Sequence, residues 1–269
     1  MSMTSGVAVG TPDPSLRSVV LRYEGFTSRG GGPVTFREVA CTFVPVIIDL
    51  DAGWTVAHRD RADSPLRLRS FVAGLTDAPV LVGHAGSACC LQINLTPLGA
   101  RRILGLPLSE LANQTVPIEA VLGRTGATLV QRIGEVPRWR DRFALVDQVL
   151  LRRLGDAPGI DRGVAWSLAR ITASGGRTAI GPLAAELGWS HRRLINRYRD
   201  AVGLPPKTVA RIVRFERALE PLRRGVEPST VAVDCGYFDQ AHLCREVRDL
   251  AGVTPAELRG VNSVQDPAG

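Results

Sequence analysis

Along the first hundred residues, apolar side chains come in short β-branched bursts broken by Gly and Pro. Segments 18–27 (SVVLRYEGFT), 33–50 (PVTFREVACTFVPVIIDL), 67–74, 78–84 and 87–95 (SACCLQINL) alternate or run apolar over strand lengths. RGGGP (29–33) and LDAGW (50–54) are turn signals between them. The pattern predicts a small antiparallel sandwich or barrel. The opening MSMTSGVAVGTPDPSLRS has neither a basic start nor a continuous apolar stretch, so it reads as a short flexible leader and not as a signal peptide.

From Thr96 the period changes from two to that of a helix. TPLGARRILG offers Thr96 as N-cap, Pro97 at the first helical position and Gly105 as terminator. PLSELANQ (107–114) and PIEAVLGRTGATLVQRIGEV (117–136) are expected to follow as helices. In VPRWRDRFALVDQVLLRRLG, Trp139, Phe143, Val146 and Leu150 fall on one helical face. That face needs burial, either on the N-terminal sheet or against a second copy of the chain, and the pattern does not choose. GDAPG (155–159) is the best linker, after which everything reads as helical. The expected fold is α+β: a β-rich sandwich-like or barrel-like domain with helices over residues 1–156, then an all-α domain over 159–260.

The last third contains a weak internal repeat. AIGPLAAELGWSHRRLINRYRDAVGLPP gives a short apolar helix ending at Gly188, then Ser190 as N-cap of a helix bearing Leu194 and Tyr198. STVAVDCGYFDQAHLCREVRDLAGVTP repeats the order: a short helix ending at Gly236, Asp239 as N-cap, then Leu243 and Val247. An offset of 49 residues pairs Ser190 with Asp239, Leu194 with Leu243 and Pro206 with Pro255. A short helix, a Gly turn and a capped second helix describe a helix-turn-helix, here present twice. Residues 207–225 are helical in pattern and long enough to join the two halves.

Charge sharpens this picture. The net charge is +7, and residues 177–224 alone carry eleven bases against four acids, while 225–259 carry three bases against six acids. A positive field concentrated in one segment suits an anionic partner such as double-stranded DNA. No apolar run approaches the roughly 18–20 residues of a membrane span, and the five cysteines form neither a C-x-x-C pair nor a spaced quartet. The expectation is a cytoplasmic protein with free thiols, no cofactor and no metal. Asp239 and His242 have helical ligand spacing but lack a third partner, and Cys244 lies two residues from His242, on a different face.

The region from about Gly159 to Gly260 resembles the DNA-binding domain of AraC/XylS-type transcriptional regulators. LAAELGWS with Leu194, RFERAL (214–219) and above all GYFDQAHLCRE closing on GVTPAELR carry the likeness. Asn196 stands where such proteins commonly place Arg, with Arg197 one step on, and Leu243 stands where many carry Phe. The resemblance implies a sequence-specific regulator with no reaction to catalyse. Its N-terminal domain would bind a small-molecule effector or serve oligomerisation as a homodimer, with RNA polymerase as a further partner if it activates. The residues expected at DNA are Ser190, His191, Arg192, Arg193, Asn196 and Arg197 in the first unit, and Gln240, Ala241, His242 and Arg245 in the second. Arg192 and Asn196 are expected at bases, and Arg193 and Arg197 are divided between bases and phosphates. The rival reading is a DNA-alkylation repair or response protein carrying the same module, which would need a reactive thiol; Cys41, Cys89 and Cys90 sit in apolar runs without a nearby activating base. A non-specific nucleoid-type binder is a third class, marked by steep salt dependence and little sequence preference.

Overall fold

A computed structural model describes residues 4–59, 63–157 and 159–260. Its N-terminal part is a pair of antiparallel sheets. Strands β1 (Thr4–Gly10), β2 (Val20–Arg29), β9 (Ala88–Leu95), β4 (Val44–Asp49), β7 (Phe71–Ala73) and β10 (Thr115–Pro117) form one, in that order. Strands β3 (Val34–Glu38), β8 (Val80–His84), β5 (Trp54–His58) and β6 (Leu66–Leu68) form the other. Alternation along each strand feeds two apolar layers. Ile47, Trp54, Phe71 and Cys90 belong to one cluster, while Val46, Ile48, Leu91 and Ile93 belong to the larger core shared with the helices. β9 is therefore buried on both faces, which is why ACCLQINL reads as a nearly unbroken apolar run.

Two local expectations are corrected. The leader is not flexible from Thr4 onward: β1 pairs along its whole length with β2, Val7 opposite Phe26 and Val9 opposite Glu24. Its pairing covers backbone groups that β2 would otherwise leave open at a sheet edge, and its glycines hide the strand signal. Gly10 is required there, because a Cβ would lie 2.5 Å from the Phe143 ring. Met1 to Met3 lie outside the described residues. Residues 107–114 form only a single 3-10 turn, Leu108–Glu110, because the chain must return to the sheet. Gly74 N–H donates to the Gln114 carbonyl at 2.9 Å, and Asn113 takes a positive φ of 58° to make the bend. The turn expected at 50–54 is found, with Gly53 at φ 90°, and β5, which the sequence pattern leaves unassigned, follows directly from it.

Three helices complete this half: α1 (Pro97–Leu104), α2 (Ile118–Glu135) and α3 (Trp139–Gly155). Thr96 caps α1 by accepting the Gly99 N–H at 3.0 Å, and Gly105 ends it with φ 75°. α2 is interrupted at Gly123, whose φ of 55° and ψ of −138° are not helical. The apolar face of α3 covers the six-stranded sheet. Phe143 stacks on Tyr23 at 5.7 Å, Trp139 lies over Gly25, and the Tyr23 hydroxyl donates to Asp147 at 2.7 Å. Of the two fates open to that face, burial on the sheet is the one found.

The C-terminal helices are α4 (Arg162–Ala173), α5 (Ile180–Glu186), α6 (His191–Val202), α7 (Pro206–Arg223), α8 (Pro228–Cys235) and α9 (Gln240–Ala251). Pro158, inside the expected linker, lies outside the described residues. Leu194, Tyr198, Phe215 and Leu243 belong to the same continuous core as Leu91 and Ile93 of β9. Polar contacts lock the junction. The segment between β3 and β4 donates the Thr42 N–H and O–H to the two carboxylate oxygens of Glu216 on α7, each at 2.7 Å. Two residues earlier, the Ala40 N–H donates to the Leu250 carbonyl on α9 at 3.0 Å.

Candidate nucleic-acid interface

Two short helices, each followed by a glycine turn and a capped helix, present the surfaces of interest. In the first unit Gly188 takes φ 62°, and the Ser190 hydroxyl accepts the Arg193 N–H at 3.2 Å. Leu194 and Tyr198 dock α6 and are fully buried. The Tyr198 hydroxyl donates to Ser167 at 2.9 Å, and burial pushes its pKa up to about 12. His191, Arg192, Arg193, Asn196 and Arg197 are all exposed.

These residues are not equivalent. Arg192, Asn196 and Arg199 recur at i, i+4 and i+7, hence along one stripe. Among the described residues their side chains make no hydrogen bond or ion pair. Arg193 instead lies over the Trp189 ring at 5.0 Å, and Arg197 is 3.7 Å from the Asp161 carboxylate. Trp189 is itself seated on Gly163 of α4, where a Cβ would come within 2.5 Å of its ring. The turn before α6 is thereby pinned to the helix beneath it.

In the second unit Gly236 takes φ 76°, and Asp239 accepts the His242 N–H at 2.6 Å. Cys235 is buried in the core. Gln240, Ala241 and Arg245 are exposed, whereas His242 is half-buried and turned inward. Its Nδ1 accepts the Phe238 N–H at 3.3 Å, its Nε2 is 3.4 Å from Glu246, and its ring meets Tyr237 edge-on. Glu246 is the residue that sequence reasoning passed over. Its buried carboxylate takes Arg211 at 3.0 Å and Arg214 through both oxygens at 2.9 Å, so α9 is tied to α7. The only signal was a pair of arginines at i, i+3 on α7, whose partner lies more than 30 residues away.

Two other features bear on the choice among readings. A cavity of about 80 Å³ in the sandwich is lined by Trp54, Val56, Phe71, Cys90 and Gln92, with His58 and Thr115 paired at 2.9 Å on its wall. Val39 and Cys41, flanking Ala40 in the junction segment, also line it. Burial pushes the Cys89 thiol up despite the neighbouring Arg142, and pushes Cys90 much further, which makes both weak nucleophiles at neutral pH. Among the described residues no three His, Cys, Asp or Glu side chains gather as metal ligands, and no helix is long and apolar enough to cross a membrane.

Comparison with known proteins adds the following. Residues 183–260 match a helix-turn-helix domain family, and residues 9–117 match a domain of unknown function, DUF6597. ToxT from Vibrio cholerae is similar over 98% of this chain and 100% of its own, at 9% identity and a TM-score of 0.50. Wild-type ToxT with an unsaturated fatty acid bound is similar over 97% and 96%, at 9% identity and 0.45. The C-terminal domain of AraT, a response regulator from Geobacillus stearothermophilus, covers 42% of this chain and 95% of its own, at 18% identity and 0.36. At such identities the first likeness speaks for the two-part fold alone. No curated protein matches the chain in sequence.

Proposed function

We propose that this chain, which carries a helix-turn-helix domain at 183–260, is a sequence-specific DNA-binding transcription regulator of the AraC type. α6 is the principal reading helix. The observation that carries this is the stripe of Arg192, Asn196 and Arg199: exposed, unpartnered, and projected by a helix whose other face is fixed by Leu194 and Tyr198. Arginine forks match guanine and asparagine matches adenine in the major groove. Ser190 and His191 sit at the helix start, where backbone phosphates approach, and Arg193 and Arg197 reach phosphates once released from Trp189 and Asp161. In the second unit Gln240, Ala241 and Arg245 face the duplex, and His242 acts from behind by holding the turn.

The division into an N-terminal domain, 1–156, and a DNA-binding domain, 159–260, belongs to the same proposal. The first is the sensor. Its cavity, mostly apolar with Glu38, His58, Thr76, Gln92 and Thr115 as polar points, suits a small and mostly apolar effector. Residues 39–42 supply the coupling, because they touch both the cavity and the clasps on α7 and α9. The protein works in the cytoplasm as a homodimer, through a surface other than the sheet-facing side of α3, and meets RNA polymerase if it activates. Arg192→Ala is the test. Binding-site selection on that variant should return a consensus degenerate at one position, and an unchanged consensus would falsify the assignment.

A further inference from the structure

Between α2 and α3 lies a groove of about 430 Å³ that neither the DNA-reading helices nor the sandwich cavity accounts for. Arg124, Thr128 and Arg132 enter it from α2 at successive turns, an arc of about 12 Å along the helix. Arg152 and Arg153 enter from α3, and the one carboxylate on its walls is Asp156. None of the side chains that cover the sheet, Trp139, Phe143, Val146 or Leu150, lines it.

Several arginines elsewhere have protein partners, whereas those of the α6 stripe and most of those in this groove do not. Arg211 and Arg214 share Glu246, Arg197 has Asp161, and Arg170 has Glu186 at 3.8 Å. In the groove only Arg153 is anchored, its Nε donating to the Ile103 carbonyl at 2.7 Å. Among the described residues, Arg124, Arg132 and Arg152 make no hydrogen bond or ion pair. Four guanidinium groups converging on one concavity, faced by a single carboxylate, repel one another and cost the fold stability. Nothing in the packing of α2 on α3 requires them, since the hairpin is held by Leu122, Leu129 and Ile133 with Val146 and Leu150.

We infer that this groove binds a small anion of the phosphate type carrying two or more negative charges. Guanidinium forks pair with phosphate oxygens two at a time, and the Thr125 and Thr128 hydroxyls add donors at the same wall. The same chemistry occurs in a free phosphorylated molecule and in a DNA backbone. A concave cleft between two helices favours the free molecule over a duplex, whose convex rod contacts ridges. The inference stands apart from the reading of α6, since it involves no residue of the helix-turn-helix units. α3, which forms one wall, leads within a few residues of chain into α4.

The experiment is calorimetric titration of the full chain with sodium pyrophosphate at constant ionic strength. Saturable one-to-one binding is expected, weakened about tenfold or more in Arg124→Gln and in Arg152→Gln, as loss of a charge-assisted pair requires. Arg140→Gln, exposed on α3 outside the groove, should bind as the parent does, and matching melting curves show that the variants fold. A second arm measures affinity for a random duplex across salt concentrations. If pyrophosphate does not bind but each groove variant lowers the salt slope by about one, the phosphate chemistry holds with DNA as its source. Pyrophosphate bound equally by parent and groove variants, or no binding together with an unchanged salt slope, overturns the inference. A chain that binds pyrophosphate through these arginines but binds no DNA at all would instead sink the regulator reading and leave the groove standing.

Discussion

Glu246 shows how much of a binding surface is decided by a residue that never reaches it. Its side chain is only 7% exposed, and it stays compatible with the interior because Arg211, Arg214 and His242 surround it. Removing it leaves Arg214, itself 15% exposed, as a charge without a counter-ion and frees the His242 ring. Glu246→Ala should therefore cost about 3–5 kcal/mol in urea unfolding, the penalty for breaking a buried pair. Glu246→Gln should cost less, since it keeps the shape and part of the hydrogen bonding. His84 offers a pH test. It is buried between Phe36 and Trp54, and burial lowers its pKa. The unfolded chain takes up a proton near the usual value of about 6.5, while the folded chain does not until lower pH. Stability should then be flat above that point and fall as pH drops below it, until the folded ring also titrates. In His84→Gln the corresponding part of the slope should vanish from denaturation midpoints measured between neutral and mildly acidic pH.

At the scale of elements, what was legible in the sequence was local. The caps Thr96, Ser190 and Asp239 each bond to a backbone N–H within three residues, so composition at the helix start announced them. Both glycine turns and the α7 connection were legible for the same reason. β1 was not, because its strand character comes from a partner thirteen or more residues away and its own glycines carry no pattern. The 3-10 turn at Leu108–Glu110 was misread because helical composition yielded to the need to rejoin β7. For the site, exposure of the α6 arginines followed from helical phase, but which of them find protein partners did not. Asp161, at the start of α4, is brought to Arg197 only by tertiary structure, while Trp189 is a neighbour four residues before Arg193 whose stacking the sequence pattern did not single out. The seat of α3 gives the prediction at this scale. A Cβ on Gly25 would lie 2.5 Å from the Trp139 ring, so Gly25→Ala must lift the start of α3 from the sheet. A loss of about 1–3 kcal/mol is expected, with a red shift of tryptophan emission as the ring meets water.

Across the whole molecule, one core runs from the sandwich into the helix-turn-helix units, so the two halves are mechanically joined and not merely tethered. One polar clasp of that joint, beside the Ala40–Leu250 hydrogen bond and the Arg101–Asp200 ion pair, is Glu216, whose carboxylate is raised above its usual pKa by burial and held by Thr42. Glu216→Ala leaves the Thr42 N–H and O–H without their acceptors, at a cost of about 1–3 kcal/mol. Its more telling result should be faster proteolysis between residues 156 and 161, with each half keeping its own circular dichroism. A variant no more cleavable than the parent would show that the joint holds without the Glu216 clasp.

The bracing of α7 bears on what kind of DNA site evolution can supply. α7 is 18 residues long, about 27 Å, with α6 packed at its start and α9 clamped to its middle by Glu246. A duplex turns once every 10–10.5 base pairs, roughly 34 Å, so each inserted pair rotates the far half of a site by about a tenth of a turn. With α6 and α9 proposed to read the duplex together from either end of this brace, that rotation has nowhere to go. Operators for this protein should drift freely in their unread letters while keeping their length, and an insertion of about half a turn would place the second half on the far side of the duplex, facing solvent.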